Sequence, residues 1–243
     1  MILHVQRFCP DNPQGGQLVA YDVPLENATL LEMLEFIKTK MDPTLSFAHE
    51  CRSNVCGSCA MRVNGHEVLA CSYKPCDNDN VEPLKNMPLL RDLVVDMDAA
   101  LTCNAKAHAY GSVSEKLISV TSKEAHQNAL QSDCILCGSC YSACPVLAVN
   151  ENFLGPFALT RNWRYVTDVR EQNIADKIEA VQKEGIWDCT LCNECVPVCP
   201  QEIAPKQDIL MLRSKSGMMG YMDPNLFGGG GFGGAPDFGG PVF

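Results

Sequence analysis

Apolar residues recur along the first 23 positions at strand spacing. Leu3, Val5 and Phe8, then Leu18, Ala20 and Val23, read as two half-buried strands separated by the turn Asp11-Asn12-Pro13-Gln14-Gly15-Gly16. A helix is predicted next. Thr29 can accept from the backbone at Glu32 while Glu32 reaches back, and Leu30, Leu34 and Ile37 form one apolar face. Pro43 stops it. Beyond a cysteine-bearing loop at 51–59, Ala60–Val63 and Glu67–Ala70 read as a hairpin turning at Asn64-Gly65. From about residue 93 the pattern changes to helix, with segments 114–132, 156–165 and 171–184 rich in Ala, Leu, Glu, Lys and Gln. The fold class expected is therefore α+β, a small sheet domain followed by an all-α domain, with the division near 98–108. The expected bounds are 1–100, 101–216 and a tail at 217–243. That tail holds ten glycines and four phenylalanines. It reads as flexible rather than as an element, a strap for a partner being the alternative.

Composition alters this picture in two ways. A net charge of −10 over 243 residues disfavours a nucleic-acid partner, whose phosphates demand a basic face. The 15 cysteines are clustered rather than spread, unlike the framework of a small disulfide-bonded domain. The start of the chain lacks a basic stretch followed by a long apolar one, and no apolar run approaches a membrane span. The location expected from these residues is the reducing cytoplasm, where thiols persist. Export together with a signal-bearing partner is compatible with the same residues.

The cysteine spacings carry the chemistry. Cys51, Cys56 and Cys59, followed by Cys71, make C-x4-C-x2-C plus a distant fourth cysteine, the plant-type 2Fe–2S pattern. Three thiolates on one tight loop can surround a small iron–sulfide core while backbone N–H groups point at its sulfurs. Gly57 supplies the dihedral freedom such a loop needs. Structural zinc would call for two paired C-x2-C knuckles, and only one is present here. Two further runs match each other: Cys134, Cys137, Cys140 and Cys144 before Pro145, and Cys189, Cys192, Cys195 and Cys199 before Pro200. A duplicated C-x2-C-x2-C-x3-C-P is the two-cluster ferredoxin signature, in which the fourth cysteine of each run serves the other cluster. One 4Fe–4S cluster is assigned to Cys134, Cys137, Cys140 and Cys199, and the other to Cys144, Cys189, Cys192 and Cys195. Cys9, Cys76 and Cys103 remain as ordinary thiols, Cys76 being a remote alternative to Cys71. The five histidines have no paired spacing, which argues against a Rieske centre. There is no dinucleotide fingerprint, phosphate loop or nucleophile elbow, so no catalytic residue is assigned.

This order of a plant-type loop and a helical two-cluster region resembles the iron–sulfur subunit of fumarate reductases and succinate dehydrogenases. Arg91-Asp92-Leu93-Val94-Val95-Asp96, Asn152-Phe153-Leu154-Gly155-Pro156 and Gly185-Ile186-Trp187-Asp188-Cys189 extend the likeness over roughly residues 1–213. The resemblance implies a β-grasp N-terminal domain set against a flavoprotein holding FAD and a dicarboxylate site. It also implies a C-terminal domain facing a membrane-associated partner linked to quinone. The chain would then be a non-catalytic electron-transfer subunit of an oxidoreductase. Cys192 departs from the family, most of whose members carry a non-cysteine residue there and a 3Fe–4S distal cluster. The expectation here is a second 4Fe–4S cluster, with 3Fe–4S as the alternative. The tryptophan that many members place after the first C-P is absent, and the histidine after the first cysteine of the second run is Thr190. Both departures point to a variant resembling methylmenaquinol:fumarate reductases, with a cysteine-rich third subunit. Two other readings stay open: the iron–sulfur subunit of another flavin complex, resembling thiol-dependent fumarate reductases or heterodisulfide reductases, and a free ferredoxin-type carrier.

Overall fold

A computed structural model describes residues 1–11, 16–112 and 117–226. Strands β1 (Ile2–Arg7) and β2 (Gln17–Asp22) pair antiparallel, with Leu3 opposite Tyr21 and Val5 opposite Val19. Side chains alternate across a strand, so this register turns Val19 and Tyr21 toward the core and leaves Leu18 and Ala20 in solvent. The expectation that Leu18 and Ala20 face inward is thus corrected, since they lie opposite Gln6 and His4. The loop residues 12–15 of the expected turn lie outside the described residues.

Helix α1 (Leu30–Phe36) begins with the expected reciprocal cap: Glu32 N donates to Thr29 Oγ1 at 3.3 Å, and Thr29 N donates to Glu32 Oε2 at 2.6 Å. Leu30, Leu34 and Ile37 are fully buried. A π-helical turn over Ile37–Met41 ends it just before Asp42-Pro43. Strands β3 (Ala60–Val63) and β4 (His66–Leu69) close through Asn64 and Gly65, whose φ values of 49° and 86° match a two-residue type I′ turn. Strand β5 (Asp79–Glu82) completes a sheet of order β2-β1-β5-β3-β4 in which β1 and β5 run parallel. A two-stranded piece, β6 (Leu89–Arg91) with β7 (Val94–Val95), follows. One hydrophobic core runs from Leu3 to Leu93 between this sheet and α1.

The remainder is helical: α2 (Asp98–Lys106), α3 (Ser122–His126), α4 (Ala129–Ser132), α5 (Ser139–Ser142), α6 (Pro156–Val166), α7 (Ile174–Ala180) and α8 (Pro205–Met218). The expected helix over 114–132 is instead two short pieces, α3 and α4. Helix α3 starts only at the Thr121–Glu124 capping box, and the polar stretch that follows buries none of its residues. Residues 113–116 lie outside the described part. The second core gathers around Phe153, Phe157, Leu159, Ile178, Ile209 and Leu212, with α6 at its centre against α2, α4, α7 and α8. The cores meet: Ile135 and Cys137 pack against the first, and Met87 against the second. Helix α8 carries Gly217 and Met218, which the sequence reading placed in the tail, and residues 227–243 of that tail lie outside the described residues.

Candidate metal centres

The first cysteine set forms on the loop between the π-helical turn and β3. Arg52, Asn54 and Gly57 sit at φ of 58°, 59° and 76°, which turns successive amides to one side. The N–H groups of Ser53, Val55 and Cys56 donate to Cys51 Sγ at 3.4, 3.4 and 3.3 Å, and Asn54 N donates to Cys71 Sγ at 3.3 Å. Pairing of Ala60 with Leu69 brings the ends of β3 and β4 together, and with them Cys59 and Cys71; Ala70 N donates to Cys59 O at 3.0 Å. The four thiols expected from spacing are therefore in one place. Their environments differ. Hydrogen bonds from Ser58 and Cys51 draw the Cys56 thiol down to about 6, whereas burial pushes Cys59 up to about 11.

The two later runs fold alike. Leu136 and Leu191 take φ of 55° and 57°, and Gly138 and Asn193 take 82° and 80°. A leucine in this region is strained, and the same residue type is strained at the same place in both runs. Each turn lifts its third cysteine inward while the fourth crosses over. Cys134, Cys137, Cys140 and Cys199 line one cavity; Cys144, Cys189, Cys192 and Cys195 line another. In each cavity the fourth cysteine of one run lies with the first three of the other. Burial, then neighbouring Cys137, Cys134, Cys195 and Cys199, push the Cys140 thiol far above its ordinary range, and burial lifts Cys195 to about 12. Backbone donors at Leu136, Leu147, Leu191 and Gln201 oppose this at Cys134, Cys144, Cys189 and Cys199.

These donor sets fit iron–sulfur clusters. Crowded thiols, Cys59, Cys144 and Cys195 among them buried, cannot all ionise together unless a cation sits among them, and the surrounding N–H groups are suited to sulfur that carries negative charge. Among the described residues, no three His, Cys, Asp or Glu side chains are close enough to hold a single metal ion. The spare thiols lie elsewhere: Cys103 is buried beside Tyr141, Cys76 is exposed, and Cys9 lies near Asp11.

Two supporting residues escaped the sequence reading. Asn86 donates through Nδ2 to the carbonyls of Tyr141, Ser142 and Cys144 at 2.9, 3.0 and 3.0 Å. Arg213 on α8 donates to Ile186 O, Trp187 O and Cys189 O at 2.8, 3.3 and 2.6 Å. Proline at the first turn of α8 was the available signal for that helix. Nothing in the local pattern marks Asn86, because its partners lie more than 50 positions away.

Residues 2–102 match the family of 2Fe-2S iron-sulfur cluster binding domains, and residues 130–203 match the 4Fe-4S dicluster domain. The fumarate reductase iron-sulfur subunit of Haemophilus influenzae is 35% identical, over 86% of this chain and 90% of that protein. The chain belongs to the fumarate reductase and succinate dehydrogenase iron–sulfur subunit family. Within that family, the Mycobacterium tuberculosis fumarate reductase iron-sulfur subunit is 37% identical over 84% of this chain and 88% of its own length. The 8-methylmenaquinol:fumarate reductase iron-sulfur subunit of Wolinella succinogenes is 36% identical over 78% of this chain, which spans 64% of that longer protein. In fold, the iron–sulfur subunit superimposes on a chain of the Mycobacterium smegmatis Sdh1 complex in the apo form with a TM-score of 0.80. At 23% identity, that match covers 91% of this chain and 97% of the other. The role of the subunit is electron transfer within an oxidoreductase complex.

Proposed function

We propose that the chain carries three clusters between a flavoprotein holding FAD and a dicarboxylate site and a third, quinone-linked partner that is rich in cysteine. On this reading Cys51, Cys56, Cys59 and Cys71 hold a 2Fe–2S cluster in a β-grasp domain spanning about residues 1–100. Cys134, Cys137, Cys140 and Cys199 hold one 4Fe–4S cluster and Cys144, Cys189, Cys192 and Cys195 a second, both in a helical domain over about residues 101–216. The sheet order and the parallel β1–β5 pair support the β-grasp assignment. The clusters, when bound, supply one-electron redox chemistry at three points along the chain. The protein's own groups hold them in place. Backbone N–H donors neutralise charge on the ligating sulfurs, and the apolar cores keep water from Cys59, Cys144 and Cys195.

The observation that carries the distal assignment is the matched backbone of the two runs. Cys192 follows Leu191 and precedes Asn193 as Cys137 follows Leu136 and precedes Gly138, with the same signs of φ. A fourth thiol so placed supplies a ligand to a fourth iron. The likeness to the 8-methylmenaquinol:fumarate reductase subunit supports a partner of that class. Among the described residues no helix is long and apolar enough to cross a membrane, which supports peripheral attachment through partners.

The test is anaerobic purification followed by iron and sulfide analysis and electron paramagnetic resonance (EPR). Roughly ten irons per chain are expected, with no 3Fe–4S signal in the oxidised protein. Cys192→Ser should lose about one iron per chain and gain that signal. A 3Fe–4S signal already present in protein kept free of oxygen would overturn the distal assignment. Protein without iron or acid-labile sulfide would overturn the whole reading.

A further inference from the structure

Where the first cysteine loop meets the second cysteine set, there is no room for a side chain. A Cβ placed on Gly57 would lie 2.6 Å from Cys137 Cβ, 2.9 Å from Cys137 Cα and 3.3 Å from Ile135 Cδ1. The first two atoms belong to the backbone and root of a cysteine held in its own tight turn, so neither can swing aside. Relief to ordinary carbon–carbon contact requires the two loops to part by roughly 1 Å. Gly57 also sits at φ +76°, which only glycine adopts without cost. The other edge of the same junction is tied. Ser142 Oγ donates to Glu67 Oε1 at 2.8 Å, and Lys85 N donates to Ser142 Oγ at 2.8 Å, linking the sheet half to α5.

We propose that Gly57 is a positioning residue: lacking a side chain, it lets the loop bearing Cys56 seat directly on Cys137, and so sets the separation of the first and second cluster sites. This rests on the cluster assignment above. Cys56 and Cys137 flank one apolar cavity of about 350 Å³ along with Leu84, Leu93 and Met97, so the junction is lined chiefly by hydrocarbon. A contact-limited gap of this kind fixes distance more tightly than hydrogen bonds alone, because packed atoms resist compression steeply.

The experiment uses the anaerobically purified holoprotein with the subunits that accompany it, reduced fully and read by EPR. Magnetic coupling between paramagnetic centres falls steeply with distance. In Gly57→Ala, iron and sulfide content should stay at the wild-type level. The reduced 2Fe–2S signal should lose broadening and relax more slowly. Gly65→Ala serves as the control: Gly65 has a similar φ of +86°, but an added Cβ meets only Arg62 Nη2 at 3.6 Å, so its spectrum should match wild type. A fully loaded Gly57→Ala protein with unchanged broadening overturns the proposal, as does an equal change in Gly65→Ala. If Gly57→Ala fails to load iron, Ser142→Ala decides, since it unties the hydrogen-bonded edge and leaves the Gly57–Cys137 contact in place. Unchanged coupling there supports the proposal, since the contact alone then holds the separation, and weakened coupling overturns it by giving that role to the hydrogen bonds. Wild-type protein without iron would instead remove the cluster assignment on which the proposal stands.

Discussion

Lys177 and Glu171 form a buried ion pair, each side chain only 1% exposed, with Nζ 3.3 Å from Oε2. The ammonium also donates to His108 O at 3.1 Å and to Tyr110 O, and it lies over the rings of Tyr110 and Tyr165. Glu171 accepts from Ser112 N at 3.0 Å, from Ser112 Oγ and from Asn173 N at 2.8 Å. Burial alone would push its carboxyl up, but these donors and Lys177 outweigh burial and hold it below the usual carboxylate range. Glu171→Ala therefore leaves a charge and two backbone donors without compensation in the interior. Breaking one side of such a pair costs about 3–5 kcal/mol. For a chain of this size that corresponds to a fall in Tm of roughly 6–20 °C. Thermal unfolding followed by far-UV circular dichroism, at one scan rate and without oxygen, measures it. The double variant Glu171→Leu with Lys177→Met should recover most of the loss, since it removes both charges and keeps the volume. A single-variant loss below about 1 kcal/mol, the scale of an exposed pair, would refute this reasoning. So would a double variant no better than the single.

Asn86→Ala should cost about 1–3 kcal/mol, because three inward carbonyls lose their donor. The measurements are the denaturant midpoint and the rate of iron release to a chelator, which should rise. Asp208 is 3% exposed, with only Oδ1 paired, to Gln131 at 2.8 Å, and burial pushes its carboxyl up to about 6. A raised folded-state value favours the protonated form. Its contribution to stability is fully present below the ordinary value near 3.8 and is lost as pH rises through about 6. Asp208→Asn should abolish that slope, gaining at most about 3 kcal/mol relative to wild type between pH 4 and 8; a parallel pair of stability–pH curves would contradict it. Thr29→Ala removes an exposed reciprocal cap and should cost about 1 kcal/mol in denaturant titration, leaving iron content unchanged.

Elements whose signal is local were legible from the chain alone. The Thr29–Glu32 cap, the Asn64-Gly65 turn, the buried face of α1 and the start of α6 at Pro156 depend on neighbours within a few positions. The strand β5 and the pair β6–β7 were not, since short strands become strands only when a partner edge accepts them. The inward face of β2 was misread for the same reason. Leu18 and Val19 are both apolar, so the local pattern fits either parity, and the pairing of Val5 with Val19 decides which one is buried. The segment 114–132 has helix-forming composition without a continuous apolar stripe, and composition alone did not sustain a helix there.

Cysteine spacing by itself grouped twelve of the thiols into the three candidate sets, because a loop of four or two residues between cysteines limits which sulfurs can share one core. What only the tertiary structure decided is how those sets relate. The seating of Gly57 on Cys137, the reach of Asn86 to the carbonyls before and at Cys144, and the grip of Arg213 on Cys189 join residues from 24 to 80 positions apart. Such contacts are steric and electrostatic facts about surfaces brought together by two hydrophobic cores, and no local pattern in the chain encodes them.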